Sequence, residues 1–391
     1  MNTLDWILLV LVLAYALSGY WQGFITGAFA TAGLLIGGYL GVLLVPVALG
    51  NAAPSLTVSI AALFVVIVMA SLGQAGLQFI GARVRDRIRW RPVRFVDALG
   101  GAALSAAAVL LIAWALGVAV SGIHLDGVTR EVRDSAVLAR VNRVVPDSAN
   151  RLLSSFDNVV GSSFFPRYLE PFEPEHIVEV GPGPTKLKGD PDVRQAAVSV
   201  LKVHGASKCG RGIEGSGWVV RPDYLLTNAH VVAGVSAPSV VIDGHDVEAT
   251  VVEYDSKTDL ALLHLDTGSL AGLPMDTSAQ GGDPVAILGY PQDGPLDLEP
   301  ARIRAEQRLR SPDIYGKGSV VRDVFSLRGL IRPGNSGGPI VDGDGRVVGV
   351  VFAASVTDGD TGYALTANQV SPFIQDGLGD TDAVSTGACA D

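Results

Sequence analysis

Apolar residues run almost unbroken through the first third of the chain. Between Asp5 and Arg83 there is no charged residue, and no water-facing surface can be built from such a stretch. A helix that crosses a bilayer needs about 20 apolar residues. The stretch is too long for one crossing and predicts three: Leu4 to Tyr20, Phe24 to Val45 stopped by Pro46, and Leu56 to Ile80 after the turn Asn51-Ala52-Ala53-Pro54. A fourth runs from Ala98 to Val120. A cleaved signal peptide is the alternative for the first, but it needs a basic start, and no Lys or Arg precedes Arg83. Small residues recur inside the spans, Gly37 and Gly41 forming a GxxxG, a spacing that lets helices approach closely. No ionisable residue sits at the middle of a span, which argues for a packed anchor over an ion pathway.

Past Val120 the pattern changes twice. Residues 126–160 carry helical periodicity in two segments. Val137, Leu138, Val141, Val144 and Val145 mark the first. Pro146-Asp147-Ser148 restarts a second with Leu152, Leu153, Phe156, Val159 and Val160. Pro166, Pro171, Pro174, Pro182, Pro184 and Pro191 then break any long element, so 161–188 reads as an exposed linker that is either cut to release the C-terminal domain or never cut. From Gly212 onward the apolar runs are short and punctuated by Gly, Pro, Asn and Asp: Ser216–Val220, Tyr224–Thr227, Val240–Ile242, Leu260–Leu263, Val285–Leu288 and Val347–Phe352. Many short strands at this spacing predict an all-β barrel or sandwich, with helical patterns only near 191–200 and 368–377. The expected organisation is a four-span membrane module over 1–120, a helical connector and Pro-rich linker over 121–189, and a β-rich domain over 190–391.

Charge sets the direction of the module. Of the 391 residues only 17% are charged, against about 25% in ordinary soluble domains. Arg83, Arg85, Arg87, Arg89, Arg91 and Arg94 stand between spans three and four, opposed only by Asp86. The positive-inside bias makes that loop cytoplasmic, so the N-terminus and everything after Val120 lie outside. The remainder of the chain carries 23 basic and 36 acidic residues of the totals 29 and 39, which excludes a nucleic-acid footprint of clustered Lys and Arg. Two cysteines, Cys209 and Cys389, exclude a small disulfide scaffold. A single bridge between them would need a compartment outside the cytoplasm and would pin the C-terminal tail across the domain, either as a plain staple or as a redox control.

Three segments of the β-rich domain carry chemistry. Leu225-Leu226-Thr227-Asn228-Ala229-His230 runs a strand into a small-residue turn that presents His230. Asp259 stands directly before the apolar strand Leu260–Leu263, where a semi-buried carboxylate needs a donor such as an imidazole N–H. Arg332-Pro333-Gly334-Asn335-Ser336-Gly337-Gly338-Pro339 surrounds a serine with glycines that permit a tight loop with inward N–H groups. Singly these read as a structural His, a turn Asp and a Gly-rich turn. Together they supply nucleophile, base, orienting carboxylate and oxyanion donors: Ser336, His230, Asp259, and the N–H groups of Gly334 and Ser336. Chain order narrows the fold. GNSGG also fits the G-x-S-x-G elbow of α/β-hydrolases, whose His follows the Ser. Here all six His precede Ser336, the last being His264. The subtilisin order needs its Asp ahead of its His. His, Asp, Ser is the order of the chymotrypsin double β-barrel.

Two resemblances add to this reading. MNTLDWILLVLVLAYALSGYWQGF resembles the colicin V production (CvpA) family over about residues 1–120, which implies a four-span module and little defined chemistry. GSGWVV, LLTNAHVV, TDLALLHLD, VAILGYP and RPGNSGGPIVDGDGRVVGVV resemble trypsin-like serine proteases, HtrA-type in detail, over about 190–377. The pairing of the two resembles the actinobacterial membrane serine proteases linked to acid resistance. HtrA-type proteins usually add PDZ domains. About a dozen residues follow position 377, too few for one, which argues against an oligomeric chaperone role.

The resemblance implies a membrane-anchored serine endopeptidase that needs no metal or cofactor. Its expected partners are the lipid bilayer and protein substrates outside the cytoplasmic membrane, cell-wall remodelling enzymes among them. It also places Leu330 at the floor of the S1 pocket, Phe352, Ala353 and Ala354 on its wall strand, and Tyr363 at its end, which favours an apolar P1 residue. The alternative is that loop lengths differ and Leu330 is ordinary core. Two other functions compete: a non-catalytic binding module on a protease fold, and a transporter-like membrane part regulated by the protease. A protonated imidazole cannot serve as base, so work in acid calls for a depressed imidazole pKa or an acid-triggered conformational or processing switch.

Overall fold

The computed structural model describes residues 1–49, 56–121, 127–146, 172, 174–209 and 212–390. They fall into two compact units, one of Met1–Gly117 with Asp134–Pro146, the other of Val118–Arg133 with Asp147–Asp391. The expected turn at 51–54 and the second connector segment, Leu152 to Val160, lie outside the described residues.

The first unit holds four helices long and apolar enough to cross a membrane: α1 (Thr3–Gln22), α2 (Phe24–Leu49), α3 (Leu56–Asp86) and α4 (Arg91–Ser121). Two boundaries differ from the sequence expectation. α2 passes through Pro46 and ends three residues beyond it at Leu49, although a proline there removes one intrahelical donor and crowds the preceding turn. The Arg-rich segment is not a loop but two helix ends, with only 87–90 between them. The arginines at the C-terminal end of α3 also complement its dipole.

Glycines decide how closely these helices meet. A Cβ added at Gly73 would lie 2.3 Å from the Gly33 carbonyl oxygen, and one at Gly37 would lie 2.3 Å from that of Met69, so α2 and α3 pack backbone to backbone. Gly19 of α1 meets Gly101 of α4 at the same distance. Two carboxylates tie the helix ends. Asp97 accepts from Ile25 N at the start of α2 (2.9 Å) and from Arg85 Nε (2.7 Å). Gly23, at φ 80°, leaves no room there for a side chain. Asp5 caps its own helix through Asn2 N. It also takes the Ser135 hydroxyl (2.6 Å) and the amides of Ala136 and Val137 at the start of α6 (Ala136–Val144). A second short helix, α5 (Val128–Arg133), precedes α6 in the chain.

The second unit is β-rich, as expected. β1 (Val200–Ala206), β2 (Gly212–Arg221), β3 (Tyr224–Thr227), β4 (Ser239–Ile242), β5 (His245–Glu248), β6 (Thr250–Asp255) and β7 (Leu260–His264) form one curled antiparallel sheet in the order β5-β4-β1-β2-β3-β7-β6. β8 (Pro284–Gly289), β9 (Asp297–Ser311), β10 (Val320–Arg328), β11 (Pro339–Val341), β12 (Val347–Ala354) and β13 (Thr361–Thr366) close into a barrel, β10-β13-β12-β11-β8-β9. The β4–β5 hairpin turns on Asp243-Gly244, both at positive φ, the pair such two-residue turns require. α7 (Pro191–Ala197) and α9 (Ala367–Gly377) flank the strands. Each sheet lines a core of its own, around Leu225 and Leu263 in one and Ile287 and Leu327 in the other. A third core joins them, with Trp218, Leu226 and Leu262 packed with Leu288, Phe352 and Leu365. Cys209 and Cys389 are bonded, and the tail they anchor runs past Gly234, whose amide donates to the Thr386 carbonyl (3.1 Å).

The expected linker is partly docked. From 174 to 182 it lies along the barrel, where Arg302 Nε reaches the Gly181 carbonyl (3.2 Å), Arg304 Nη1 that of Val178 (2.8 Å) and Arg328 that of Val180. Glu175 accepts from the Ser355 hydroxyl and from the Tyr363 hydroxyl (3.3 Å).

This packing makes two substitutions informative. Gly73→Leu must push apart two backbones and is expected to cost at least about 1–3 kcal/mol. Gly76→Leu, where a Cβ meets nothing within 4 Å, is the control, and thermal aggregation of the detergent-solubilised chain reads the difference. In the second unit, burial and then the carboxylates of Asp380, Asp376 and Asp255 hold the Glu253 carboxyl above its usual range. Its ionised form therefore opposes folding above that raised pKa and ceases to as the pH falls through it. Glu253→Gln should raise Tm at pH 7 and lose that advantage in acid.

Candidate active site

The site is assembled where the shared core ends. β3 stops at Thr227, whose hydroxyl donates to the Ser216 carbonyl (2.7 Å). Asn228 then opens a single helical turn, α8 (Ala229–Val232), that carries His230. Asp259 precedes β7 with φ 63° and is 1% exposed. The left-handed backbone turns its carboxylate back onto α8. There Oδ1 accepts the backbone N–H of His230 (2.9 Å), and Oδ2 faces the ring Nδ1 at 2.8 Å. The Asn228 side-chain amide secures the Asp259 carbonyl at 2.8 Å. An ionised carboxylate only accepts, so Nδ1 carries the proton and Nε2 is the free acceptor.

Ser336 lies 2% exposed on the turn before β11. Its carbonyl takes the Ser216 amide (2.8 Å), and the Gly337 amide donates to the Val351 carbonyl (2.9 Å). A Cβ on Gly337, at φ 81°, would stand 3.0 Å from the Asn228 nitrogen and 2.3 Å from the Thr227 hydroxyl. The Ser336 turn is thus pressed against the segment that leads into His230. A Cβ added at Gly215 would lie 2.6 Å from Val231 Cγ1 and 3.1 Å from the Ser336 carbonyl oxygen, so the absent side chain leaves room for both.

The turn itself is tied reciprocally. Arg332 N donates to Asn335 Oδ1 (2.9 Å), and Asn335 N donates to the Arg332 carbonyl (3.0 Å). The Pro333 carbonyl accepts from Gln292 N (2.6 Å), and the Gly334 carbonyl accepts from the Ser216 hydroxyl (2.6 Å). The amides of Gly334 and Ser336 have no protein acceptor among the described residues, as donors kept for a developing oxyanion would not.

Sequence reasoning missed Ser216. It is wholly buried, and its hydroxyl donates to the Gly334 carbonyl while accepting from Tyr290 N (2.9 Å). The only signal was a polar residue within the apolar run that opens at position 216.

The residues expected to form a specificity pocket divide between surface and core. Leu330 is 44% exposed, whereas Phe352 and Tyr363 are buried in the shared core. Ala353 pairs with Tyr363 and Ala354 with Gly362 across β12 and β13. Ile331, not singled out from sequence, packs onto Gly362 so closely that a Cβ there would lie 2.1 Å from its Cδ1. The segments 330–331, 353–354 and 362–363 therefore converge. Among the described residues, no group of three or more His, Cys, Asp or Glu could hold a metal ion.

Comparison with known proteins agrees with both halves of the chain. Residues 215–350 match the model of the trypsin-like peptidase domain, and residues 4–146 that of the colicin V production protein. Serine protease Rv3671c of Mycobacterium tuberculosis is 36% identical over 394 residues, covering 99% of this chain and 98% of that one. The Do-like serine protease HtrA of Bacillus subtilis is 30% identical over 175 residues, 41% of this chain and 38% of its own. The crystal structure of the Rv3671c protease in its active form superposes with a TM-score of 0.54 at 40% identity, over 57% of this chain and 99% of that one.

Ser216→Ala tests the support of this turn. Losing a whole oxyanion donor costs about 10²–10³ in kcat. Removing a hydroxyl that only holds the donor's neighbour should cost less, about tenfold, with KM nearly unchanged in steady-state peptide hydrolysis.

Proposed function

The chain belongs to the membrane-bound trypsin-like serine proteases that Rv3671c represents, and from that premise we propose how and where it cuts. It is a serine endopeptidase carried on a multi-pass membrane module. Ser336 is the nucleophile. His230 Nε2 takes its proton as Oγ adds to the scissile carbonyl, then returns it to the departing amine. Asp259 holds the imidazole in the required tautomer and stabilises the imidazolium. The Gly334 and Ser336 amides receive the oxyanion. Water, activated by the same imidazole, hydrolyses the acyl-enzyme. The observation that carries this reading is the two-point grip of buried Asp259 on His230, ring and backbone together.

We read the convergence of Leu330, Ile331, Ala354 and Gly362 as an apolar S1 pocket, with Phe352, Ala353 and Tyr363 as its buried wall. An apolar P1 residue fits it better than Arg or Lys. The arginines at the α3–α4 turn support a cytoplasmic position for that turn and hence an extracytoplasmic protease domain and N-terminus. The Cys209–Cys389 bond supports the same side, since such bonds persist in oxidising compartments. The substrates are then proteins outside the cytoplasmic membrane, cell-wall remodelling enzymes among them, in envelope stress or acid resistance.

Fluorophosphonate labelling of the full chain should tag the wild type and not Ser336→Ala; an untagged wild type would sink the triad. Asp259→Asn, which favours the wrong tautomer, should lower kcat by about 10⁴. An alkaline phosphatase reporter fused after Asp391 should be active, and one fused at Ile88 inactive. Proteins shed in the wild type and retained in Ser336→Ala would identify the substrates.

A further inference from the structure

The turn after β8 is strained, and it is pinned from the other sheet. Gln292 and Asp293 both have φ 56°, two successive non-glycine residues in the left-handed region, where L side chains are disfavoured. Lys202 of β1 grips the second of them. Its Nζ donates to the Asp293 carboxylate (2.7 Å) and to the Asp293 carbonyl (2.9 Å), and stands 5.7 Å from the centre of the Tyr290 ring. The left-handed turn directs the Gln292 amide at the Pro333 carbonyl, 2.6 Å away. A trans peptide carries its C=O and N–H on opposite sides. Holding the Pro333 carbonyl therefore sets which way the Gly334 N–H faces. That peptide lies between a proline and a glycine at φ 93°. It has little side-chain bulk to resist rotation once the Gln292 contact is gone.

We propose that Lys202 is a positioning residue for the oxyanion donor Gly334, acting through Asp293 and the left-handed Gln292 turn. The proposal rests on His230, Asp259 and Ser336 being the catalytic triad. Lys202 acts only on the direction of one N–H. That N–H matters when negative charge develops on the carbonyl oxygen, so the loss belongs to kcat and not to substrate binding. The pair is open to solvent on the Asp293 side, whose side chain is 57% exposed, so salt should weaken it.

The test uses the full-length protein in detergent, a fluorogenic peptide with an apolar P1 residue, and the matching peptide aldehyde, whose adduct with Ser336 carries an oxyanion. Lys202→Met and Asp293→Ala are each expected to lower kcat about tenfold, part of the ~10²–10³ of a whole donor. KM should stay within about twofold, aldehyde affinity should fall in proportion to kcat, and Tm should scarcely move. Because a merely structural contact could also be lost, the charge-reversed pair Lys202→Asp with Asp293→Lys is the decisive variant: it should be more active than either reversal alone. Wild-type kcat in Lys202→Met, a loss carried by KM, or a reversed pair no better than its single variants overturns the proposal. A wild type that fluorophosphonate does not label overturns the triad itself, and this proposal with it.

Discussion

The proposed site depends on one carboxylate, that of Asp259, which has almost no contact with water. Asp259 sits in a backbone conformation that L-residues avoid, and the strain is useful: it points the side chain at α8 instead of along β7. From there the carboxylate satisfies a main-chain amide and a ring nitrogen of the same residue. An imidazole held at two points cannot swing, and its Nδ1 proton cannot move to the other nitrogen without leaving the buried Asp259 Oδ2 without its donor. Burial makes that exchange costly. The same contact that folds the turn therefore fixes the chemistry of the ring.

The turn that carries Ser336, the proposed nucleophile, is built on a different principle. It has few side chains to anchor, so it is fixed through its own carbonyls: Arg332, Pro333, Gly334 and Ser336 each surrender their C=O to a neighbour. The amides of Gly334 and Ser336 alone are left without a protein acceptor among the described residues of this loop. Ser216 lies on β2 of the first sheet and Gln292 in the turn after β8 of the barrel, so neither alone could orient the turn. This accounts for a site at the seam and not at the mouth of either sheet.

Much of this was legible in the sequence, for identifiable reasons. The spans were visible because a bilayer tolerates no charge for long, and the protease fold because the segments carrying His230, Asp259 and Ser336 occur in an order that excludes rival folds. The hidden parts depend on contacts between distant positions. β9 was missed because its Arg and Glu residues mask an alternation in which Ile303 and Leu309 face inward. Asp97, just before the fourth expected span, was not singled out, and it caps a different helix. Ile331 and Ser216 look ordinary until Gly362 and Gly334 are brought beside them. The proline-rich stretch reads as an exposed linker, yet its described residues 174–182 lie docked along the barrel, because what holds them is arginines from distant strands.

That last segment has an implication of its own. The arginines of β9 and β10 hold residues 178–182 by main-chain oxygens, a grip indifferent to which side chains pass through it. Drift in the spelling of this belt costs little, whereas inserting or deleting a residue would shift every buckle by one hole. A cut anywhere upstream of residue 174 would part the polypeptide without undressing the barrel, and the freed half would leave still wearing it.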